Sequence, residues 1–121
     1  MVEAFCGANN VPEATCNLMQ LALDEVLSNI VKYAYDPPGT GTIDVQLTYS
    51  TGQFMASVED HGVAFDPVGF HAPVRNDPLQ SRKEGGLGIF FVKRLLDGIT
   101  YERVGDRNKV TLMIQVPPEQ P

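Results

Sequence analysis

Residues 21–35, LALDEVLSNIVKYAY, decide the fold and read as one amphipathic helix. Five apolar side chains recur at helical spacing and predict a face that packs on a core: Leu23, Val26, Leu27, Ile30 and Ala34. Glu25 and Asn29 are four residues apart and therefore lie on one side of the helix, one turn from each other. Lys32 extends this polar face by a further turn. The helix is thus predicted to pack with one face and to offer polar groups with the other.

The ends of this helix follow from proline and glycine. Val11-Pro12-Glu13 predicts a helix entry near Pro12, because proline is tolerated in the first turn. Residues 36–41, DPPGTG, must end the helix, since proline cannot continue it and glycine frees the backbone. Residues 1–10 show no clear pattern.

Two strand pairs are predicted from alternating apolar and polar residues. Residues 42–49 alternate strictly, and residues 53–59 return after a turn with the same period, which predicts an antiparallel hairpin. Residues 99–104 and 109–116 predict a second hairpin around a turn at 105–108.

A second helix and a long loop lie between the two hairpins. Gly85-Gly86-Leu87-Gly88 is predicted to open this helix, whose core residues are then Ile89, Val92, Leu95 and Leu96. Residues 67–85 have no period and are predicted to form a lid, and 117–121 a tail. The element order predicts a single domain over 1–121. Its fold class is α+β, a two-layer sandwich with a mostly antiparallel sheet and helices on one face.

The composition excludes several classes of function. The net charge of −6 argues against direct, non-specific nucleic-acid binding, which needs a basic surface. No apolar run approaches the ~20 residues that a membrane span requires. Cys6 and Cys16 lack metal-site spacing, and no signal peptide is apparent, so we expect reduced cysteines in a cytoplasmic protein.

Four residues have side chains or backbones suited to a nucleotide site. The amide oxygen of Asn29 is a hard ligand of the kind Mg²⁺ prefers. The carboxylate of Glu25 can accept a proton from a nucleophile. Asp60 ends a predicted strand, where its carboxylate can accept the amino group of adenine, and Gly62 lets a base approach the backbone.

The glycines at 85–88 suit a phosphate group. The free N–H groups and the dipole at a helix start favour anions, and glycine allows close approach. The segment is not a P-loop, because no G-K-[ST] follows, and it lacks the third glycine of the dinucleotide fingerprint.

Taken together, these stretches resemble the GHKL (Bergerat-fold) ATPases. Glu25-x-x-x-Asn29 looks like the N box, Asp60-x-Gly62 with Phe65-Asp66-Pro67 like the G1 box, and Gly86-x-Gly88 like the G2 box. Within that superfamily, residues 18–116 are most similar to bacterial anti-sigma factor serine kinases. Compared with these kinases Glu25 comes early in the chain, so the strand that precedes the N box in the family is expected to be short or absent.

The resemblance implies the cofactors ATP and Mg²⁺ and a role for each matching residue. Asn29 would be the metal ligand, Glu25 the general base for a serine hydroxyl, and Asp60 the adenine-binding carboxylate. Gly86, Leu87 and Gly88 would contact phosphates.

The roles of several further residues stay open. Thr111 would lie near adenine, as a threonine of the superfamily often does, or be an ordinary strand residue. Lys32 would touch phosphate or be a solvated lysine. Three cations of the lid are open candidates for the γ-phosphate: Arg75, Arg82 and Lys83.

The implied function is that of a cytoplasmic protein serine/threonine kinase. Such a protein binds a sigma factor and phosphorylates a small anti-sigma factor antagonist of STAS type, which regulates transcription by partner switching. A homodimer is left open. Three alternatives to the kinase function stay open: an ATP-binding switch without phosphoryl transfer, a sensor histidine kinase catalytic domain, and a scaffold that no longer binds ATP. The histidine kinase is disfavoured because neither His61 nor His71 falls on a predicted helix.

Overall fold

A computed structural model describes residues 1–35, 40–50, 52–66 and 93–116 of the 121-residue chain. Six elements follow in the order two helices, two strands, two strands. The helices are α1 (Val2–Asn9) and α2 (Glu13–Tyr33). The strands are β1 (Ile43–Ser50), β2 (Gln53–Asp60), β3 (Gly98–Val104) and β4 (Arg107–Gln115).

The four strands form one antiparallel sheet in the order β1-β2-β4-β3. The two hairpins predicted from sequence are confirmed, and they join through the pairing of β2 with β4. This pairing sets Asp60 opposite Asn108. Residues far apart in sequence thereby become neighbours at one end of the two central strands.

The core lies between the helices and one face of the sheet. Strands β2 and β4 alternate buried and half-buried residues along their length, so one side of each is covered. The helical side of the core is made by Met19, Ala22, Leu23, Val26, Ile30 and Ala34. Helix α1 adds Phe5, whose ring stacks on Phe54 of β2 with centroids 5.6 Å apart. The predicted two-layer α+β fold is therefore confirmed.

The amino-terminal residues form a helix that the sequence pattern did not indicate. Helix α1 ends at Asn9 and is capped by Asn10, which adopts a left-handed conformation with φ 56°. A strand was expected to be short or absent here, and residues 1–12, all of which are described, contain none. Helix α2 begins after Pro12, as predicted, and ends at Tyr33, two residues before the predicted end.

Two local predictions were wrong. The turn predicted at 105–108 contains only Gly105 and Asp106, because Val104 already pairs with Arg107. Gly105 has φ 61°, a left-handed conformation that suits a two-residue hairpin turn. Leu95 was predicted in the core but is 53% exposed, whereas its neighbour Leu96 is buried.

Candidate functional site

Helix α2 carries the first part of the candidate site on its polar face. Glu25 is half-buried and Asn29 is buried, with 3% of its surface exposed. Among the residues that the structure describes, none forms a hydrogen bond with the Asn29 carboxamide. A polar group in a buried position is stabilised when it gains a partner. The Asn29 amide is therefore available to a ligand, and its oxygen suits a hard cation.

The last turn of α2 links this face to the loop after β2. Tyr33 follows Asn29 by one helical turn, and its ring lies 5.6 Å from that of Phe65. The loop at 61–66 is thereby held beside the carboxyl end of α2. Lys32 is exposed in the same turn.

Three backbone contacts fasten the loop to the end of α2. The N–H of Val63 donates to the carbonyl of Ala34 at 2.8 Å, and the N–H of His61 donates to the Tyr35 hydroxyl at 3.0 Å. Gly62 lies against the backbone of Ala34, and no room remains there for a Cβ atom. Glycine is needed at this position because helix and loop approach closely.

Asp60 ends β2 and is 1% exposed. Its Oδ1 accepts hydrogen bonds from the Gly62 N–H at 2.8 Å and from the Nδ2 of Asn108 at 2.9 Å. None of the described residues donates to Oδ2. The carboxylate is thus fixed through one oxygen and can accept a further donor at the other.

Asn108 is the central residue of this network and is fully buried. Its Nδ2 donates to Asp60 and also to the carbonyl of Val63 at 2.8 Å. Both N–H bonds of the amide are therefore used. One joins the two central strands, and the other holds the loop that follows β2.

The oxygen of the same amide faces three donors. Oδ1 of Asn108 accepts from the Tyr101 hydroxyl at 2.7 Å, from Nη1 of Arg103 at 3.1 Å and from the Phe65 N–H at 3.3 Å. Nη1 of Arg103 also donates to the carbonyl of Gly62 at 2.9 Å. Strand β3 is thus connected to the loop through Asn108.

Tyr101 remains a hydrogen-bond donor at neutral pH. Burial raises the pKa of its phenol above the ordinary value, and the carboxylates of Asp66 and Asp60 raise it further, whereas Arg103 lowers it. The phenol therefore stays protonated and continues to donate to the Asn108 amide.

From the sequence, Asn108 was not singled out; on β4 Thr111 was named, either near adenine or as an ordinary strand residue. Thr111 pairs with Ser57 and Thr100, on the face of the sheet opposite Asp60. One signal was present: Asn108 falls two residues before Val110 and so continues the apolar side of β4. A polar residue on the buried side of a strand is a candidate for a site.

The remaining site residues predicted from sequence, Gly86, Leu87 and Gly88, lie outside the described residues. The same holds for the lid at 67–85, its three cations, and the tail at 117–121. Within the described ranges, no group of three or more histidine, cysteine, aspartate or glutamate side chains is arranged to hold a metal ion. A metal ion at this site would therefore be held by Asn29 and by oxygen atoms of a bound ligand.

None of the described helices combines the length and apolarity needed to cross a membrane.

Comparisons with known proteins show which family the chain resembles. The chain is 28% identical over 101 residues to the serine/threonine-protein kinase BtrW of Bordetella bronchiseptica, which covers 84% of this chain and 71% of BtrW. It is 34% identical over 86 residues to the serine-protein kinase RsbW of Bacillus cereus, which covers 67% of this chain and 52% of RsbW. The chain therefore spans only about half of that relative.

The fold is shared with solved structures. The histidine kinase domain of a blue-light activated histidine kinase from Erythrobacter litoralis superposes with a TM-score of 0.61 and 20% identity, covering 88% of this chain and 46% of that one. At this identity the likeness shows the fold alone. The family of histidine kinase-like ATPase domains matches residues 1–114. The resemblance to GHKL ATPases is thereby confirmed, and the chain belongs to the histidine kinase-like ATPase domain family.

Proposed function

We propose that the chain binds ATP with Mg²⁺ and is a protein serine/threonine kinase domain of the anti-sigma type. It would transfer the γ-phosphate of ATP to a hydroxyl of a small antagonist protein. The family assignment supports ATP as the ligand, and the names of the relatives BtrW and RsbW support a serine kinase. One observation carries the proposal: Asn29 is 3% exposed, and its amide has no hydrogen-bond partner among the described residues and keeps some access to solvent. It lies one turn from Glu25 on the helix that anchors the Asp60 loop.

We assign the purine to the part of the site beside Asp60, at the end of strand β2. Oδ2 of Asp60 accepts the 6-amino group of adenine, while Oδ1 stays bound to the Gly62 N–H and to Asn108. Gly62 contributes by its close packing on α2, which brings the loop to the helix. The phosphates then extend along the polar face of α2. The sequence assigns Gly86, Leu87 and Gly88 to phosphate binding. Lys32 is an added phosphate contact in this arrangement.

The metal is assigned to the helix. The Asn29 oxygen would serve as one ligand and phosphate oxygens would supply others, which is a normal environment for Mg²⁺. When bound, the ion neutralises charge that develops on the phosphates during transfer.

Glu25 is assigned the role of general base. The oxygen of the substrate hydroxyl attacks the γ-phosphorus, the bond to the bridging oxygen breaks, and ADP leaves with the electron pair. The hydroxyl proton passes to the Glu25 carboxylate. A phosphorylated antagonist gains roughly −1.5 to −2 charge, which breaks its interface with the kinase. A protein that works on sigma factors in this way acts in the cytoplasm.

The proposal is tested by mixing the purified chain with γ-³²P-labelled ATP, Mg²⁺ and a STAS-type antagonist encoded beside it. We expect label on a serine or threonine of the antagonist. Absence of ATP binding would overturn the proposal. Tight ATP binding without labelled protein would favour the alternative of a nucleotide switch, and label on a histidine would indicate a histidine kinase.

A further inference from the structure

The Asn108 amide is unusual in that every hydrogen-bonding position it has is occupied. Both N–H bonds face acceptors, on Asp60 and Val63, and the oxygen faces only donors. Exchange of the nitrogen and oxygen positions would set the carbonyl against two acceptors and the NH₂ group against an arginine and a backbone N–H. The surrounding groups therefore fix the orientation of the amide.

We infer that Asn108 is a positioning residue, which orients the Asp60 carboxylate so that the site accepts a 6-amino purine in preference to a 6-oxo purine. This inference rests on the proposed ATP-binding function. Two donors on Oδ1 of Asp60, from Gly62 and Asn108, prevent the carboxylate from rotating. Oδ2 is then left in place as a pure acceptor.

The selectivity follows from the chemistry of the two bases. Adenine presents an NH₂ group that donates to Oδ2, whereas guanine presents a carbonyl at the same place, and two acceptors repel each other. A carboxylate free to rotate could turn to accept the N1–H of guanine, which lies beside the 6-carbonyl, so the discrimination depends on Asn108. Unpaired polar groups in a desolvated site are the main source of such discrimination.

Two variants of Asn108 test the inference. Asn108→Leu is similar in size but removes every hydrogen bond of the amide. Asn108→Thr keeps one hydroxyl donor on a side chain that suits a strand. The dissociation constants for ATP and GTP are measured by displacement of a fluorescent ATP analogue, and the thermal unfolding midpoint is recorded for each protein.

We expect Asn108→Leu to weaken ATP binding by about tenfold and GTP binding by less. The ratio of the dissociation constant for GTP to that for ATP should therefore fall. Asn108→Thr is expected to weaken ATP binding by roughly threefold and to lower the ratio part of the way. If the leucine variant does not fold, the threonine variant decides alone. Ser57→Ala is the control, since Ser57 lies on the opposite face of the sheet, and it should change neither constant.

The outcomes separate this inference from the proposed function. A folded variant that loses affinity for ATP and GTP equally shows a merely structural role and overturns the inference. A threonine variant with wild-type constants also overturns it, as does a wild-type protein that binds both nucleotides equally. In these cases ATP binding stands. A wild-type protein that binds no ATP overturns the inference together with the proposed function.

Discussion

Gly62 packs against Ala34 so closely that the chain has no space for a side chain at this point. The contact joins the loop after β2 to the residue that caps α2, and the hydrogen bond from Val63 to Ala34 lies beside it. The position of Asp60 relative to the polar face of the helix depends on this junction.

Gly62→Ala is therefore expected to lower the free energy of unfolding by about 1–3 kcal/mol, because the added methyl group must push helix and loop apart. Urea denaturation measures the change. Gly7→Ala is the matched control: a Cβ atom there meets nothing within 4 Å, and Gly7 lies in α1. The free energy of unfolding of that variant should rise by roughly 0.5–1 kcal/mol, because alanine is favoured over glycine inside a helix. Equal stability of the two variants would contradict the packing argument.

Asn29→Ala is expected to abolish most of the Mg²⁺ dependence of ATP binding. In the wild-type protein, removal of Mg²⁺ with EDTA should weaken ATP binding at least about tenfold, or ~1.4 kcal/mol. The variant should already be weak with Mg²⁺ present and should respond little to EDTA, because its metal ligand is gone. Isothermal titration calorimetry gives both constants.

The control for this measurement is Asn17→Ala, on the same helix. Asn17 is exposed, so its loss should leave the response to EDTA unchanged. If Asn29→Ala retains the full wild-type effect of EDTA, Asn29 is not the metal ligand.

A dependence of stability on alkaline pH is expected from Cys6. Cys6 and Cys16 are free thiols that line a cavity of about 330 Å³ beside α1 and α2. Burial, and then the hydrogen bond and charge interaction with Cys16, raise the pKa of Cys6 to about 12. An unfolded cysteine ionises near ~8.5. Between these values the unfolded chain has released a proton that the native protein retains.

The raised pKa of Cys6 contributes stability that is complete below about pH 8.5 and is lost as the pH rises toward 12. Over this range the free energy of unfolding falls by up to ~1.4 kcal/mol per pH unit. Cys6→Ala cannot ionise, and its packing cost does not vary with pH. The free energy of unfolding, measured from pH 7 to 10.5, should therefore fall less steeply in Cys6→Ala than in the wild-type protein. Parallel curves would refute the assignment.

The sequence was sufficient for those parts of the fold that local patterns determine. The helical period of Leu23, Val26 and Ile30 predicted a buried face, and alternation predicted both hairpins. Helix α1 was missed because its eight residues carry no clear period. Leu95 was misplaced because a regular helical spacing was extended to a residue just before a strand begins.

The site was harder to predict because it depends on pairing between distant strands. Asp60 and Asn108 are 48 residues apart and meet only because β2 lies beside β4. The polar run Gly105-Asp106-Arg107-Asn108 resembles a turn throughout, although Asn108 belongs to the strand. The register also places Thr111 on the face of the sheet opposite Asp60, since a shift of one residue moves a side chain to the other face.

Glu25→Gln is expected to separate chemistry from binding. The glutamine has nearly the same shape but cannot accept the hydroxyl proton, so phosphoryl transfer should slow by about 10²–10⁴-fold. ATP affinity should change little, because the proposed function assigns the metal and purine contacts to Asn29 and Asp60. The measurement is single-turnover transfer from labelled ATP to the antagonist, with the ATP dissociation constant determined in parallel. Asp24→Asn is the matched control, since Asp24 is the adjacent exposed carboxylate and points to another side of α2. If Asp24→Asn slows transfer and Glu25→Gln does not, the general base is Asp24. If both variants transfer phosphate at the wild-type rate, the general base lies outside α2.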